Sequence, residues 1–284
     1  MRPCRTILLL AVLASPILNA QACDRVCLRG FLTRYLDALV AHNPASLPVA
    51  DKVRFTEDTV DLKLGEGLWK GASKLRGYRQ DILDVRQGVA ATQAIVEEAG
   101  MPVMLMLRLK IAAQKISEIE TMVVRSRAEG AIFMPENLQT ARASMGVAPE
   151  PGQLASREEA IRAAMFYPAG LKIGNFVKVD APFASDAYRL ENGSIMAGAG
   201  CARAGCENIR TQTIMEHPGI TTRVVAVDEE LGIVLLRMNF GETKSYGEGN
   251  ALIVWEAFKV YAGQIHAVEA FMEIMPAAKG SGWD

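Results

Sequence analysis

The pattern of apolar and polar positions predicts a helix followed by strands. Between residues 23 and 42, apolar side chains recur every three or four positions and form one stripe along a helix: Leu28, Phe31, Leu32, Tyr35, Leu36, Leu39 and Val40. Strands are predicted to follow at 53–57, 81–87, 89–97, 102–111 and 116–125. The run at 102–111 is mostly apolar on both faces, which is typical of a strand covered on both sides.

The second half of the chain repeats this order. Ser156 and Glu159 form a capping-box motif that opens a helix. We expect this helix to reach about Tyr167, where Pro168 should kink or end it. Strands are predicted at 187–191, 221–227, 232–240, 251–261 and 265–274, and short helices at 136–144 and 207–215.

Matching positions in the two halves indicate a duplicated domain. Pro48 and Pro182, and Glu57 and Glu191, are 134 positions apart, whereas Glu120 and Glu269 are 149 apart. The larger spacing places an insertion in the middle of the second copy. The order of helix and strands is that of an α+β fold. We therefore predict a first repeat at 23–126, a connector at 127–155 and a second repeat at 156–284.

The first 22 residues have the features of a signal peptide. Arg2 and Arg5 precede an apolar run at 6–17, and Ala20-Gln21-Ala22 is typical of a cleavage site. The sequence thus predicts an exported protein, periplasmic or secreted, with no membrane span. A lipid anchor on Cys23 is the alternative.

Four cysteines remain after such a cleavage: Cys23, Cys27, Cys201 and Cys206. An even number in an exported chain favours disulfides over a thiolate metal site. The connectivity stays open between a bridge that joins the two pairs and a local loop from Cys201 to Cys206.

Several function classes lack support in the sequence. The net charge is −1 and no basic cluster is present, so we expect no nucleic-acid partner. The three histidines lie far apart without metal-ligand spacing, so no metal is expected. No phosphate-binding, dinucleotide-binding or nucleophile-elbow motif occurs, so we expect no cofactor.

The order of elements and the segment from Lys115 to Glu120 resemble the nuclear transport factor 2-like superfamily, which includes SnoaL-like cyclases and ketosteroid isomerase. The tandem arrangement, with CDRVCL near the start, RLENG in the second half and GSGWD at the end, is similar to an exported family of bacteria and fungi. The resemblance implies two tandem cone-shaped α+β barrels, each a curved antiparallel sheet packed on an N-terminal helix. It also implies an apolar pocket at each wide end, and either a pseudo-dimeric monomer or a homo-oligomer.

The same resemblance suggests catalytic groups in the first repeat. Tyr35 would donate a hydrogen bond to a developing oxyanion, and Asp58 or Glu57 would be the base. Alternatively, Tyr35 is a core residue and the two carboxylates form a solvated turn. In the second repeat Tyr167 matches Tyr35 and Glu191 is kept, but Asn192 replaces Asp58.

Further candidates for substrate binding are Arg54, Arg189 and His266. Each arginine either holds an anionic group in a pocket or pairs with the glutamate of its strand. His266 alternates with Val268 and so could enter the second pocket. Glu120 and Glu269 are predicted to face solvent or a partner surface.

The leading hypothesis is a cofactor-independent lyase or isomerase that acts on a small apolar molecule, aromatic or polycyclic. One alternative is an exported protein that binds such a molecule without chemistry. A second alternative is a structural or interaction module.

Overall fold

The computed structural model describes residues 23–277 and residue 283, so the predicted signal peptide lies outside the described residues. The first repeat opens with helix α1 (Arg25–Val40). The strands of the first repeat are β1 (Val49–Glu57), β2 (Val60–Asp61), β3 (Ala72–Asp84), β4 (Val89–Glu98), β5 (Met101–Ala112) and β6 (Lys115–Val124).

A connector with two one-turn helices, α2 (Arg127–Gly130) and α3 (Ala143–Gly146), leads to the second repeat. Helix α4 (Arg157–Lys172) opens the repeat with the predicted capping box at Ser156 and Glu159. Its strands are β7 (Phe183–Glu191), β8 (Ser194–Ala197), β9 (Thr221–Asp228), β10 (Ile233–Glu242), β11 (Asn250–Tyr261) and β12 (Gln264–Pro276).

The two repeats have the same sheet topology. The strand orders are β2-β1-β6-β5-β4-β3 and β8-β7-β12-β11-β10-β9. The resemblance implied antiparallel sheets, but each sheet is mixed: its first long strand runs parallel to its last one, and the other neighbours are antiparallel. The chain therefore has an α+β fold with two similar sheet domains. The predicted boundaries of the repeats and connector stay predictions.

Each sheet has a helix on one face and the other sheet on its opposite face. The apolar stripe of α1 packs on the first sheet with Leu105, Leu107 and Leu109, and α4 packs on the second. The opposite faces meet in a third apolar cluster that includes Met104 and Met106 of β5 and Trp255 of β11. This double coverage explains the apolar run in β5.

Reciprocal ion pairs join the repeats at the starts of the two helices. Arg157 donates to both carboxylate oxygens of buried Asp84, at 3.0 and 2.6 Å, and Arg25 donates to buried Asp228 at 2.5 Å. Asp84 also accepts the Val227 backbone N–H, and Asp228 accepts that of Leu83. Each repeat thus supplies an aspartate that fixes the other, as in an isologous interface.

Three sequence predictions were wrong in detail. Helix α4 continues through Pro168 to Lys172, because packing of its buried face outweighs the lost backbone hydrogen bond. Residues 207–215 contain no helix, and 136–144 contain only a 3-10 turn and the start of α3.

Glu120 and Glu269 face the other repeat rather than solvent. Both are almost fully buried. Arg223 of the second repeat donates to Glu120 at 2.6 and 2.9 Å, and the Tyr78 hydroxyl of the first repeat donates to Glu269 at 3.3 Å. The two glutamates were predicted to face solvent or a partner surface, and the surface that they face is the neighbouring sheet of the same chain.

Both disulfides are local. Cys23 bonds to Cys27, and Cys201 to Cys206, so neither joins the two repeats. Two disulfides are consistent with an exported protein. Within the described part of the chain, no helix has the length and apolar character needed to cross a membrane.

Candidate functional site

The second repeat contains a cavity of about 350 Å³ between its sheet and helix α4. Residues 198–220, which link β8 to β9, supply part of its wall, including Gln212, Met215 and His217. The corresponding link in the first repeat, between Asp61 and Ala72, is much shorter. The insertion predicted from the repeat spacing is therefore the segment that encloses this cavity.

The cavity wall combines apolar and polar residues in nearly equal number. Its apolar members are Ala131, Ile132, Leu171, Met196, Ile214, Met215, Phe240, Leu252, Val254 and Met272. Its polar and charged members are Tyr167, Arg189, Glu191, Arg203, Gln212, Thr213, His217, Tyr246 and Glu256. A concave apolar site with a few convergent polar groups is typical of small-molecule binding.

Glu256 is the most perturbed acid of this wall. The side chain projects from β11 and is 1% exposed, and its Oε2 has no hydrogen-bond partner. Burial and the neighbouring Glu191 raise the pKa of Glu256 to about 8, while Arg189 and a hydrogen bond with Tyr167 oppose the rise. The carboxyl group is therefore mostly protonated at neutral pH and able to exchange its proton near that pH.

Tyr167 and Arg189 connect Glu256 to the rest of the wall. The Arg189 guanidinium donates to the Tyr167 hydroxyl at 3.2 Å and to Gln212 at 2.9 Å, and it lies 2.9 Å from a carboxylate oxygen of Glu191. Burial raises the pKa of Tyr167 well above its usual range, so the phenol stays protonated. These three partners hold Arg189 beside Tyr167, and because the guanidinium donates to the phenolic oxygen, the Tyr167 O–H remains a hydrogen-bond donor.

Packing behind Tyr167 fixes the position of its ring. The ring stacks on Phe176 with centroids 5.0 Å apart and meets Phe258 edge-on at 5.1 Å. Gly170 allows this arrangement, because a Cβ atom there would lie 2.3 Å from the Phe176 ring. The small residue in α4 thus admits the aromatic group that supports the site.

His217 forms another polar part of the wall. Its ring lies against Phe240 at 4.6 Å, and its Nε2 is 3.5 Å from the Tyr246 hydroxyl. The residue is 3% exposed, and its buried Nδ1 has no hydrogen-bond partner. Burial lowers the pKa of His217, so the imidazole is neutral at neutral pH.

In the first repeat, the ring of Trp69 packs edge-on against the matching tyrosine, Tyr35, with centroids 5.2 Å apart. Trp69 is 2% exposed and donates its indole N–H to the Tyr35 hydroxyl at 3.1 Å. The strand registers also match Leu107 with Glu256, because Leu107 pairs with Thr121 and Glu256 with Ala270. The first repeat thus has a leucine where the second has a buried acid.

Glu57 and Asp58, the predicted bases, hold backbone groups of the first repeat. Glu57 accepts the Leu68 backbone N–H at 2.9 Å and pairs with Arg125 at 2.9 Å. Asp58 accepts the Val123 backbone N–H at 2.8 Å. Its counterpart Asn192 accepts the equivalent bond from Met272 at 2.9 Å.

Asp58 also faces a carboxyl group of the second repeat. Burial and the charge of Glu57 raise the pKa of Asp58 to about 7. Burial and Asp58 itself raise the pKa of Glu273 to about 10. A hydrogen bond between the two carboxyl groups lowers the pKa of Asp58 and raises that of Glu273, so Glu273 keeps the proton and donates it to Asp58 across the boundary between the repeats.

The structure brings Tyr167, Arg189 and Glu191 together in the cavity but separates Arg54 and His266 from it. Arg54 pairs with Asp61 at 2.9 Å and lies 4.2 Å from the ring of Trp283. His266 stacks on Tyr261, outside the residues that line the cavity.

Sequence reasoning missed Glu256 and His217. Glu256 is the one charged residue in the otherwise apolar run from Ala251 to Phe258, and this interruption was the available signal. His217 lies in a segment without periodicity, so no pattern marked it. Among the described residues, no group of three or more histidine, cysteine or carboxylate side chains is arranged to hold a metal ion.

Comparison with known protein families finds a match within the second half of the chain. A domain of unknown function, DUF8021, matches residues 153–272, which include Tyr167, Arg189, His217 and Glu256. This match spans less than half of the chain. No curated protein matches the chain.

One similar solved structure is described as a de novo designed protein with a curved beta-sheet. The alignment covers 35% of this chain and 87% of the designed chain, with 16% identity and a TM-score of 0.31. Similarity at this level carries no inference about function.

Proposed function

We propose that the second repeat binds a small, mostly apolar molecule and performs acid–base chemistry on it without a cofactor, as a lyase or isomerase. The observation that carries this proposal is the buried Glu256 carboxyl group, whose Oε2 has no hydrogen-bond partner, in the wall of this partly apolar cavity. A carboxyl group with a pKa near ambient pH exchanges protons efficiently.

In the proposed reaction, the ionised form of Glu256 removes a proton from the carbon beside a carbonyl group; it is the minor form at neutral pH because burial raises the pKa of Glu256 to about 8. The electron pair moves to the carbonyl oxygen. Because Glu256 has now taken up the substrate proton, Tyr167 redirects its single hydroxyl proton from Glu256 to this oxygen and stabilises the developing charge with a hydrogen bond. Glu256 then returns the proton to a carbon further along the conjugated system, which completes an isomerisation. Loss of a leaving group from the same enolate would make the reaction a lyase step.

Two further parts of the proposal concern fold family and location. The helix against one face of each sheet and the shared topology support the nuclear transport factor 2-like assignment with its cone-shaped barrels. The two disulfides support a periplasmic or secreted location. The catalytic roles suggested for Tyr35, Glu57 and Asp58 stay predictions, and we favour the second repeat because Glu256 has a leucine as its counterpart.

Binding of a phenol tests the proposal, because a phenol presents an oxygen in place of the enolate oxygen. We expect 4-hydroxybiphenyl to bind the mature protein in calorimetric titrations, and we expect Tyr167→Phe to weaken binding. A panel of conjugated and non-conjugated ketones then tests turnover, which Glu256→Gln should abolish. Loss of turnover in Glu256→Gln with retained phenol binding identifies an enzyme, whereas binding without turnover of any ketone favours the exported binding protein.

A further inference from the structure

The cavity of the second repeat has two separate polar ends. At one end, Glu256 Oε2 has no partner and lies beside Tyr167. At the other, the buried Nδ1 of His217 has no partner, and the Nε2 of the same ring lies at the 3.5 Å limit of a hydrogen bond from Tyr246. Unpaired polar atoms in a buried wall are rare in native proteins and call for a partner.

Strand β10 shows how far apart the backbone neighbours of these two groups lie. Glu256 pairs with Leu236, and His217 packs on Phe240, four residues further along the same strand. Four residues of strand span about 13 Å. Leu252 and Val254 of β11 line the cavity between the ends and carry no polar side-chain atom.

We infer that the ligand is an elongated, apolar molecule with an oxygen-bearing group at each end, and that His217 determines specificity by binding the distal group. This inference rests on the proposed function, since it takes the same cavity as the site. Arg189 is already engaged by Tyr167, Glu191 and Gln212, so the end at Glu256 favours a hydroxyl or carbonyl group over a carboxylate.

The test compares two compounds of the same shape. 4-Hydroxybiphenyl has one hydroxyl group, and 4,4′-dihydroxybiphenyl has one at each end. We expect the diol to bind the mature wild-type protein about threefold to tenfold more tightly, which is the net effect of one added hydrogen bond in a buried site. In His217→Phe the second hydroxyl group is buried without a partner, so the diol should bind more weakly than the single phenol.

Two variants separate specificity from structure. His217→Gln keeps a hydrogen-bonding group and should restore part of the preference for the diol. His266→Phe changes a histidine that lies outside the cavity wall and should leave the ratio of the two dissociation constants as in the wild type.

The possible failures are distinguishable. If 4-hydroxybiphenyl binds through Tyr167 but the diol has no advantage, or its advantage persists in His217→Phe, the inference about His217 is refuted and the proposed function stands. If neither compound binds, the proposed function and this inference are both refuted.

Discussion

Replacement of Glu256 by leucine should stabilise the protein at neutral pH. Leu107 occupies the matching position in the first repeat, so this fold accommodates leucine there. Glu256 is buried with an unpartnered oxygen atom, and such a group opposes folding whenever the unfolded chain would ionise it.

The magnitude follows from the pKa of Glu256. Burial raises it from 4.5 to about 8. At pH 7 the unfolded chain has lost this proton and the folded chain has kept it, which disfavours folding by about 3 kcal/mol at about 1.4 kcal/mol per pH unit. Loss of the hydrogen bond with Tyr167 offsets about 1 kcal/mol. We therefore expect Glu256→Leu to raise the free energy of unfolding by about 2 kcal/mol at pH 7.

The pH dependence has a definite sign. Because the folded-state pKa is raised, the contribution of Glu256 to stability is fully present below pH 4.5 and is lost as the pH rises to about 8. The free energy of unfolding of Glu256→Leu should therefore exceed that of the wild type by an amount that grows from pH 5 to pH 8. Urea denaturation at pH 5, 6, 7 and 8 measures this difference.

A pH-independent difference between Glu256→Leu and the wild type would refute the reasoning, as would destabilisation at pH 8. Tyr167→Phe is the matched control, since it removes the same hydrogen bond but leaves the carboxyl group in place. The free energy of unfolding of Tyr167→Phe should therefore keep the pH dependence of the wild type.

Further predictions concern the contacts that hold the repeats together. Asp84→Asn and Asp228→Asn each remove a buried charge that pairs with an arginine of the other repeat. Each substitution should therefore lower the free energy of unfolding by about 3 kcal/mol. A loss of less than about 1 kcal/mol for either variant in urea titrations would contradict the reciprocal arrangement. Asp58→Asn removes a carboxyl group that accepts a hydrogen bond from Glu273. Because the pKa of Asp58 is raised to about 7, the melting temperature of the variant relative to wild type should be higher at pH 9 than at pH 4. An equal difference at both pH values would argue against this pair. Asn192→Ala removes four buried hydrogen bonds and should cost about 3 kcal/mol by chemical denaturation, and a near-neutral result would show that these bonds are not made in solution.

The sequence was most informative about the strands and the duplication. Alternation and turn residues predicted β4 to β6 and β9 to β12 to within a few residues, because regular strands have a period that the sequence displays. The two matched ends predicted two similar domains. Local sequence signals predicted the wrong end for α4, because packing of its buried face outweighs the effect of Pro168. They also predicted a helix in the insertion, whose conformation depends on tertiary contacts.

The site was only partly predictable for the same physical reason. Tyr167, Arg189 and Glu191 were found because they have counterparts in the first repeat. Glu256 was missed because its counterpart is an apolar core residue, so comparison of the repeats conceals it. Glu256, the candidate catalytic residue, lies at a position where the two repeats differ, whereas comparison of their sequences reveals the positions at which they agree.

The most direct test of the central claim compares the two matched tyrosines. Calorimetric titration of 4-hydroxybiphenyl into Tyr167→Phe and Tyr35→Phe asks which repeat holds the working cavity. We predict that Tyr167→Phe binds at least about threefold more weakly than wild type and that Tyr35→Phe binds within about twofold of it. Weaker binding in Tyr35→Phe with unchanged binding in Tyr167→Phe would contradict the account and move the site to the first repeat.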